Sequence, residues 1–189
     1  MKNDTSFDSE AGSSDSDKEI IVKKEEEKQN KNLDLIKSIN KTLTTALEEN
    51  KKLSDYKEIL IKQSKMCFSS SSLPNISLFD YLRRIEKYSF LDKNTLILSV
   101  IYVDRISKFG NIILTNYNIH RIIFAAILLA IKYNEDEFYD NKYYAEIAGI
   151  TPSELINIEY MFFCICNFNL YVDDDTFNNY SQYLTNFNK

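Results

Sequence analysis

Glycine, proline, histidine and cysteine are scarce in this 189-residue chain, and tryptophan is missing altogether. The three glycines, Gly12, Gly110 and Gly149, stand far apart, so no phosphate-cradling glycine loop can be assembled from them. The one histidine, His120, excludes a zinc site built on two or more His ligands. No nucleophile or Gly-rich turn accompanies it, and a hydrogen-bonded histidine at a helix start is expected. The three cysteines, Cys67, Cys164 and Cys166, are too few and odd in number for a disulfide framework, which points to a reducing compartment, cytoplasm or nucleus. On a helix Cys164 and Cys166 would point about 200° apart, a poor arrangement for chelating one ion. Core thiols are expected there. The acidic group Glu135, Asp136, Glu137 and Asp140 lacks the alternating spacing and glycine of an EF-hand loop. No metal, cofactor, catalytic residue or small-molecule substrate is therefore expected, and an enzyme is the least supported class.

A surplus of positive charge is also missing. Lysine and arginine number 23 against 28 acids, and no basic face is apparent, which argues against a nucleic-acid partner. Much of the acidity lies in the first 27 residues, which hold four lysines and nine acids and leave the remainder neutral. Long apolar runs are lacking as well. The longest uncharged one, Ile122–Ile131, is bracketed by Arg121 and Lys132 and is too short to span a bilayer, so no membrane partner is expected. Residues 1–19 are too polar and acidic for a secretory signal.

What remains is a helical pattern. Residues 1–28 are Ser-, Asp- and Glu-rich with little to bury, and read as a disordered acidic tail. Over 31–65, Ile36, Ile39, Leu43, Leu47, Leu53 and Leu60 recur at three- and four-residue steps, predicting an N-terminal helical segment. Its stripe serves either a short coiled coil or the chain's own core. Residues 69–75 read as a linker. Six helices follow within 76–187. The first, about 77–89, starts at Ser77, and the second runs from Asp92 to Phe109, where Gly110 is expected to stop it in the left-handed conformation. The third, about 118–133, is apolar nearly all round and should lie at the centre. A short fourth, about 140–148, ends at Gly149. The fifth opens on Thr151-Pro152-Ser153-Glu154, a capping box with proline at the first helical position, and runs to about Asn167. The sixth starts at Asp173 and ends near Phe187. The expected fold class is all-α.

Four charges interrupt apolar surroundings: Arg84, Asp104, Lys132 and Glu159. A buried charge is costly unless paired and hydrogen-bonded. Arg84 with Asp104 is the obvious internal pair. Spacing alone leaves Lys132 and Glu159 as either charges at a helix edge or contacts for an outside partner.

Tyr81-Leu82-Arg83-Arg84-Ile85, Tyr102-Val103-Asp104-Arg105, His120-Arg121, Leu128-Leu129-Ala130-Ile131-Lys132-Tyr133 and Asn141-Lys142-Tyr143-Tyr144-Ala145 follow one another in an order and spacing that resemble a cyclin box of the P/U type, the class of fungal phosphate-response cyclins and plant U-type cyclins. Tyr81-Leu82-Arg83-Arg84-Ile85 resembles the family's first-helix motif, and Tyr102-Val103-Asp104-Arg105 its Tyr-Leu-Asp-Arg. His120-Arg121 matches the His-Arg opening the third helix, and Leu128-Leu129-Ala130-Ile131-Lys132-Tyr133 resembles Leu-Leu-Ala-x-Lys-Phe. Asn141-Lys142-Tyr143-Tyr144-Ala145 resembles Asn-x-Tyr-Tyr-Ala, and Gly149-Ile150, Glu154-Leu155 and Glu159 complete the series. Ala148 departs from a second glycine common in the subgroup, and Ile131 replaces a small residue.

The resemblance implies a single five-helix cyclin box with flanking N- and C-terminal helices. It also implies a regulatory subunit that binds and activates a cyclin-dependent protein kinase as a heterodimer. It further implies a place in kinase regulation and the cell cycle. The third and fifth box helices would grip the kinase's regulatory helix, with Lys132 donating to kinase carbonyls and Glu159 accepting from kinase amides. Leu129, Tyr133, Phe163, Phe168 and Leu170 would be the apolar contacts. Arg84 and Asp104 would be the family's structural ion pair. The alternative is a cyclin-box adaptor or scaffold that activates no kinase.

Overall fold

In the computed structural model, the backbone is described for residues 15–89 and 91–186, and side chains within those spans from residue 32 onward. The elements are α1 (Asp15–Lys51), α2 (Tyr56–Gln63), α3 (Leu78–Ser89), α4 (Lys93–Phe109), α5 (Ile119–Asn134), α6 (Asn141–Ala148), α7 (Pro152–Ile165) and α8 (Asp174–Asn186). No strand occurs among the described residues. The expected all-α class holds, with α3–α7 as a five-helix box flanked by α1, α2 and α8.

Local chemistry sets most boundaries. The Asp92 carboxylate accepts from the Asn94 amide at 3.1 Å and starts α4. Thr151 and Glu154 form the expected capping box, with Pro152 in the first turn of α7. Gly149 ends α6 at φ 71°, a backbone state glycine adopts without a Cβ penalty. The Asp173 carboxylate accepts from the Thr176 amide at 2.8 Å and starts α8.

Three boundaries differ from expectation. Residues 1–14 of the expected tail lie outside the described residues, as does residue 187. From Asp15 the backbone is helical, so α1 begins well before residue 31. The Lys- and Glu-rich run there has high intrinsic helix propensity. The 31–65 segment is two helices, because the amides of Lys52 and Leu53 turn back to the Glu49 and Asn50 carbonyls and tighten the chain after α1. Gly110 is not left-handed: its φ is −84°, and the next residue, Asn111, carries the positive φ of 47°. The Ile112 amide bonds the Ser107 carbonyl at 3.2 Å, the closure of a helix end with Asn in the left-handed position. Glycine is needed at 110 for room, since a Cβ would meet the Ile106 carbonyl oxygen at 2.8 Å.

The apolar helix α5 sits at the centre, with Ile122–Ile131 all buried, and packs on α3, α4, α6 and α7. Each Ile, Leu or Phe side chain among them contributes about 1.5–3 kcal/mol on burial. The α1 stripe of Leu35, Ile36, Ile39, Leu43 and Leu47 joins this same core, and α1 packs on α3, α4 and α8. The stripe therefore serves the chain's own domain rather than a coiled coil. Leu53 is exposed beyond the end of α1. The 69–75 linker is pinned where the Ser70 amide bonds the Tyr117 carbonyl at 2.8 Å. Just before it, Phe68 is buried edge-on to Phe162, ring centroids 6.2 Å apart.

Candidate functional site: the face of α5 and α7

Two helices supply one groove. Leu129, Lys132 and Tyr133 recur at three- and four-residue steps on α5, and Ile156, Glu159, Tyr160 and Phe163 do so on α7, so each set shares a face. Together with Leu170 they line a groove of about 400 Å³. Leu129 and Leu170 are buried and form its floor. Tyr133, Ile156 and Tyr160 form its rim and are 52%, 55% and 60% exposed, an unusual amount of apolar surface to leave in water. Phe168 stands beside this rim, its ring edge-on to Phe163 with centroids 5.0 Å apart.

The charges lie within this apolar frame. Lys132 Nζ donates to Glu159 Oε1 at 2.5 Å and to Asn141 Oδ1 at 2.8 Å. Asn141 Nδ2 in turn donates to Glu159 Oε2 at 3.2 Å. Both charged side chains are largely buried, 25% and 17% exposed, so the ring of three offsets a real desolvation cost. An ammonium has three donors and a carboxylate about four lone-pair sites. The ring uses two donors of Lys132 and two sites of Glu159, leaving each with capacity for a partner. Such a face can bind a peptide segment that offers both carbonyl and amide groups beside apolar side chains. It carries no nucleophile–base arrangement. Among the described residues no group of three His, Cys, Asp or Glu side chains could hold a metal, and no helix is long and apolar enough to cross a membrane.

The sequence brings most of this face to notice: Lys132, Glu159, Leu129, Tyr133, Phe163 and Leu170 all meet in the groove. Ile156, Tyr160 and Asn141 were not singled out for it. The spacing of Ile156 and Tyr160 from Glu159 and Phe163 on a helix carries that signal. Asn141 needed the tertiary fold, because it reaches the pair from the first turn of α6.

The expected pairing of Arg84 with Asp104 is not what the structure contains. Arg84 Nη2 donates to the Glu146 carbonyl at 2.9 Å, near the end of α6. Asp104 accepts from the Tyr180 hydroxyl at 2.6 Å and from Lys108 at 2.7 Å. The reason lies in the packing: α3 lies on α1, α5 and α6, whereas α4 lies on α1, α5, α7 and α8. The two side chains leave their helices toward different neighbours, α6 and α8. Arg84 ties two helices of the box together, and Asp104 ties the flanking α8 to it.

His120 fills its expected place at the start of α5, Nε2 lying 3.1 Å from the Ile76 carbonyl. Cys166 is buried, and burial pushes its thiol up to about 11. Glu154 is held down to about 2, first by the Thr151 amide of the capping box and then by Arg121, whose Nη2 lies 2.9 Å away.

Comparison with known proteins agrees with this architecture. A family model described as Cyclin matches residues 23–170. The chain is 35% identical over 124 residues to Cyclin-U4-3 of Arabidopsis thaliana, covering 65% of this chain and 57% of that one. It is 30% identical over 145 residues to Cyclin-U4-1 of the same plant, covering 75% and 72%. It is 28% identical over 169 residues to PHO85 cyclin-7 of Saccharomyces cerevisiae, covering 81% and 59%. The chain thus spans about three fifths of the length of several of these curated relatives. With a five-helix box among the eight helices of the described residues, these matches place the chain in the cyclin family, among its P/U-type members.

Proposed function

We propose that this chain is the regulatory subunit of a cyclin-dependent protein kinase, which it binds through α5 and α7 and thereby activates. One observation carries the reading: a desolvated Lys–Glu pair with unused hydrogen-bonding capacity sits inside an exposed apolar rim on α5 and α7, the third and fifth box helices, which the resemblance to cyclins implies as the gripping pair. Large aromatic anchors around a desolvated charge pair are what an interface hot spot consists of. Lys132 donates to backbone carbonyls of the kinase's regulatory helix and Glu159 accepts from its amides. Tyr133, Ile156, Tyr160, Phe163 and Phe168 cover the apolar side chains around them, over the floor of Leu129 and Leu170.

Activation is a shift of population. A free kinase samples inactive placements of its regulatory helix, and a partner that binds the active placement better raises its share. That placement completes the lysine–glutamate pair and metal site of phosphoryl transfer within the kinase. The cyclin supplies no catalytic group. The test is capture of purified cyclin-dependent kinases by the wild-type chain and by a Lys132→Ala/Glu159→Ala double variant. A kinase bound and activated by the wild type alone supports the reading. Binding without activation moves it to an adaptor, and equal binding by both proteins removes the interface.

A further inference from the structure

Asn167 and Phe168, neither of them glycine, hold consecutive positive φ angles of 52° and 57°. Asparagine tolerates this backbone state, but for a ring as bulky as phenylalanine it persists only where the surroundings impose it. The restraint comes from α4. Arg105 Nη1 donates to the Asn169 carbonyl at 3.2 Å and Nη2 to the Tyr171 carbonyl at 2.6 Å. Between them, the Tyr102 hydroxyl donates to the Leu170 carbonyl at 2.8 Å. Three successive carbonyls are thus held by two residues one helical turn apart, and the guanidinium lies 5.7 Å from the Tyr102 ring centroid. On the other side, the Asn167, Phe168 and Asn169 amides bond the Cys164, Phe163 and Cys166 carbonyls at 2.9, 3.0 and 3.0 Å. The elbow is fixed from both sides. Yet its tip, Phe168, is 60% exposed and rests edge-on against Phe163 at the groove.

We propose that Arg105 is a positioning residue for the binding face: it holds the 167–171 elbow so that Phe168 and Leu170 are set in one conformation before the partner arrives. The proposal rests on the kinase-binding reading above. Arg105 is not among the residues lining the groove and acts through the elbow backbone. An anchor already ordered in the free protein loses less conformational freedom on binding. The planar fork of arginine reaches two carbonyls two residues apart, and a lysine ammonium lacks that geometry. In this account the left-handed Phe168 backbone is a cost the fold carries so that the ring projects at the groove.

The test uses the full chain with Arg105→Ala, Arg105→Lys, Phe168→Ala and the Arg105→Ala/Phe168→Ala double variant. Without any kinase, amide hydrogen exchange at Asn167, Phe168 and Asn169 should quicken about 10-fold or more in both Arg105 variants, while the α5 core keeps its protection. Unchanged elbow exchange overturns the proposal. With the kinase, Arg105→Ala should weaken affinity about 10-fold in the wild-type background and about 2-fold or less in the Phe168→Ala background, because the two act as one unit. Equal losses in both backgrounds overturn it. Tyr102→Phe, which removes only the hydroxyl that holds Leu170, should reproduce a smaller version of both effects if the Arg105 variants fail to fold. A wild-type chain that binds no kinase overturns the functional reading, and the exchange arm still decides whether Arg105 holds the elbow.

Discussion

Lys132 Nζ lies 2.5 Å from Glu159 Oε1, and Asn141 bridges the two from a third helix. The pair therefore has two duties, holding α5 to α7 and facing the groove, and these can be separated. Exchanging the charges, Lys132→Glu with Glu159→Lys, keeps an ion pair but reverses what each helix offers a partner. The swap should recover part of the stability lost in the single variants, about 1–3 kcal/mol each, and should not recover kinase binding. Thermal unfolding and binding measured on the same four proteins check this. Binding restored by the swap would make the pair purely structural.

Arg84 and Asp104 serve different neighbours, so a double-mutant cycle between them should be additive within about 0.5 kcal/mol. The cycle between Asp104→Asn and Tyr180→Phe should instead show coupling of about 1 kcal/mol or more, because the Tyr180 hydroxyl donates to a carboxylate at 2.6 Å. Denaturant unfolding of the two sets decides it. Coupling between Arg84 and Asp104 would mean that they meet after all.

The two structural glycines should respond differently to alanine. At Gly110 the new methyl group meets the Ile106 carbonyl at 2.8 Å and side-chain carbons of Ile112 and Ile165 at 3.0 Å, and crowding of this kind costs about 1–3 kcal/mol. At Gly149 there is open space, and the cost comes from the left-handed backbone alone, about 1–2 kcal/mol. Relief should differ too. Asparagine, which tolerates that backbone, should be milder than alanine at 149 and worse than alanine at 110. Melting temperatures of the four variants test this.

His120 should make the fold sensitive to mild acid. Its Nε2 faces a carbonyl that can only accept, so the proton sits there, and Nδ1 is buried without a partner. The Tyr81 ring lies 5.0 Å away, and burial holds the imidazole pKa below its usual value. The unfolded chain takes up a proton near pH 6.5 and the folded chain only at a lower pH. This contribution to stability is full above about pH 7 and is lost as pH falls through that value, by up to about 1.4 kcal/mol per pH unit until the folded imidazole also titrates. Unfolding midpoints at pH 7.5 and 5.5 should separate more for the wild type than for His120→Gln. Equal separations would contradict this.

The box was legible in the sequence where short-range chemistry decides. Asp92, the Thr151–Glu154 capping box and Gly149 fixed helix ends within a turn, and the apolar run of Ile122–Ile131 announced the central helix. The groove was legible through the resemblance to cyclins, which pointed to Leu129, Lys132, Tyr133, Glu159, Phe163 and Leu170, whereas spacing alone left the two charges open between a helix edge and a partner. What escaped depends on tertiary packing. Which helix faces Arg84 follows from how α3 and α4 lie, not from the pattern along either. Asn141 joins the site only because α6 is folded against α5 and α7. The left-handed state falls on Asn111 rather than Gly110, and the glycine serves instead to leave room for the Ile106 carbonyl, Ile112 and Ile165. Phe168 shows no sign in its sequence context of the backbone state that Arg105 and Tyr102 impose on its surroundings.

The most direct test of the central claim is a hydrogen-exchange footprint of the full chain, free and saturated with a cyclin-dependent kinase that it activates. The account predicts protection gained on the exposed faces of α5 and α7, around Leu129–Tyr133 and Ile156–Phe163, and at the elbow from Asn167 to Leu170, with α8 unchanged. Protection confined to α3 or α8, with the groove as open as in the free chain, would contradict it.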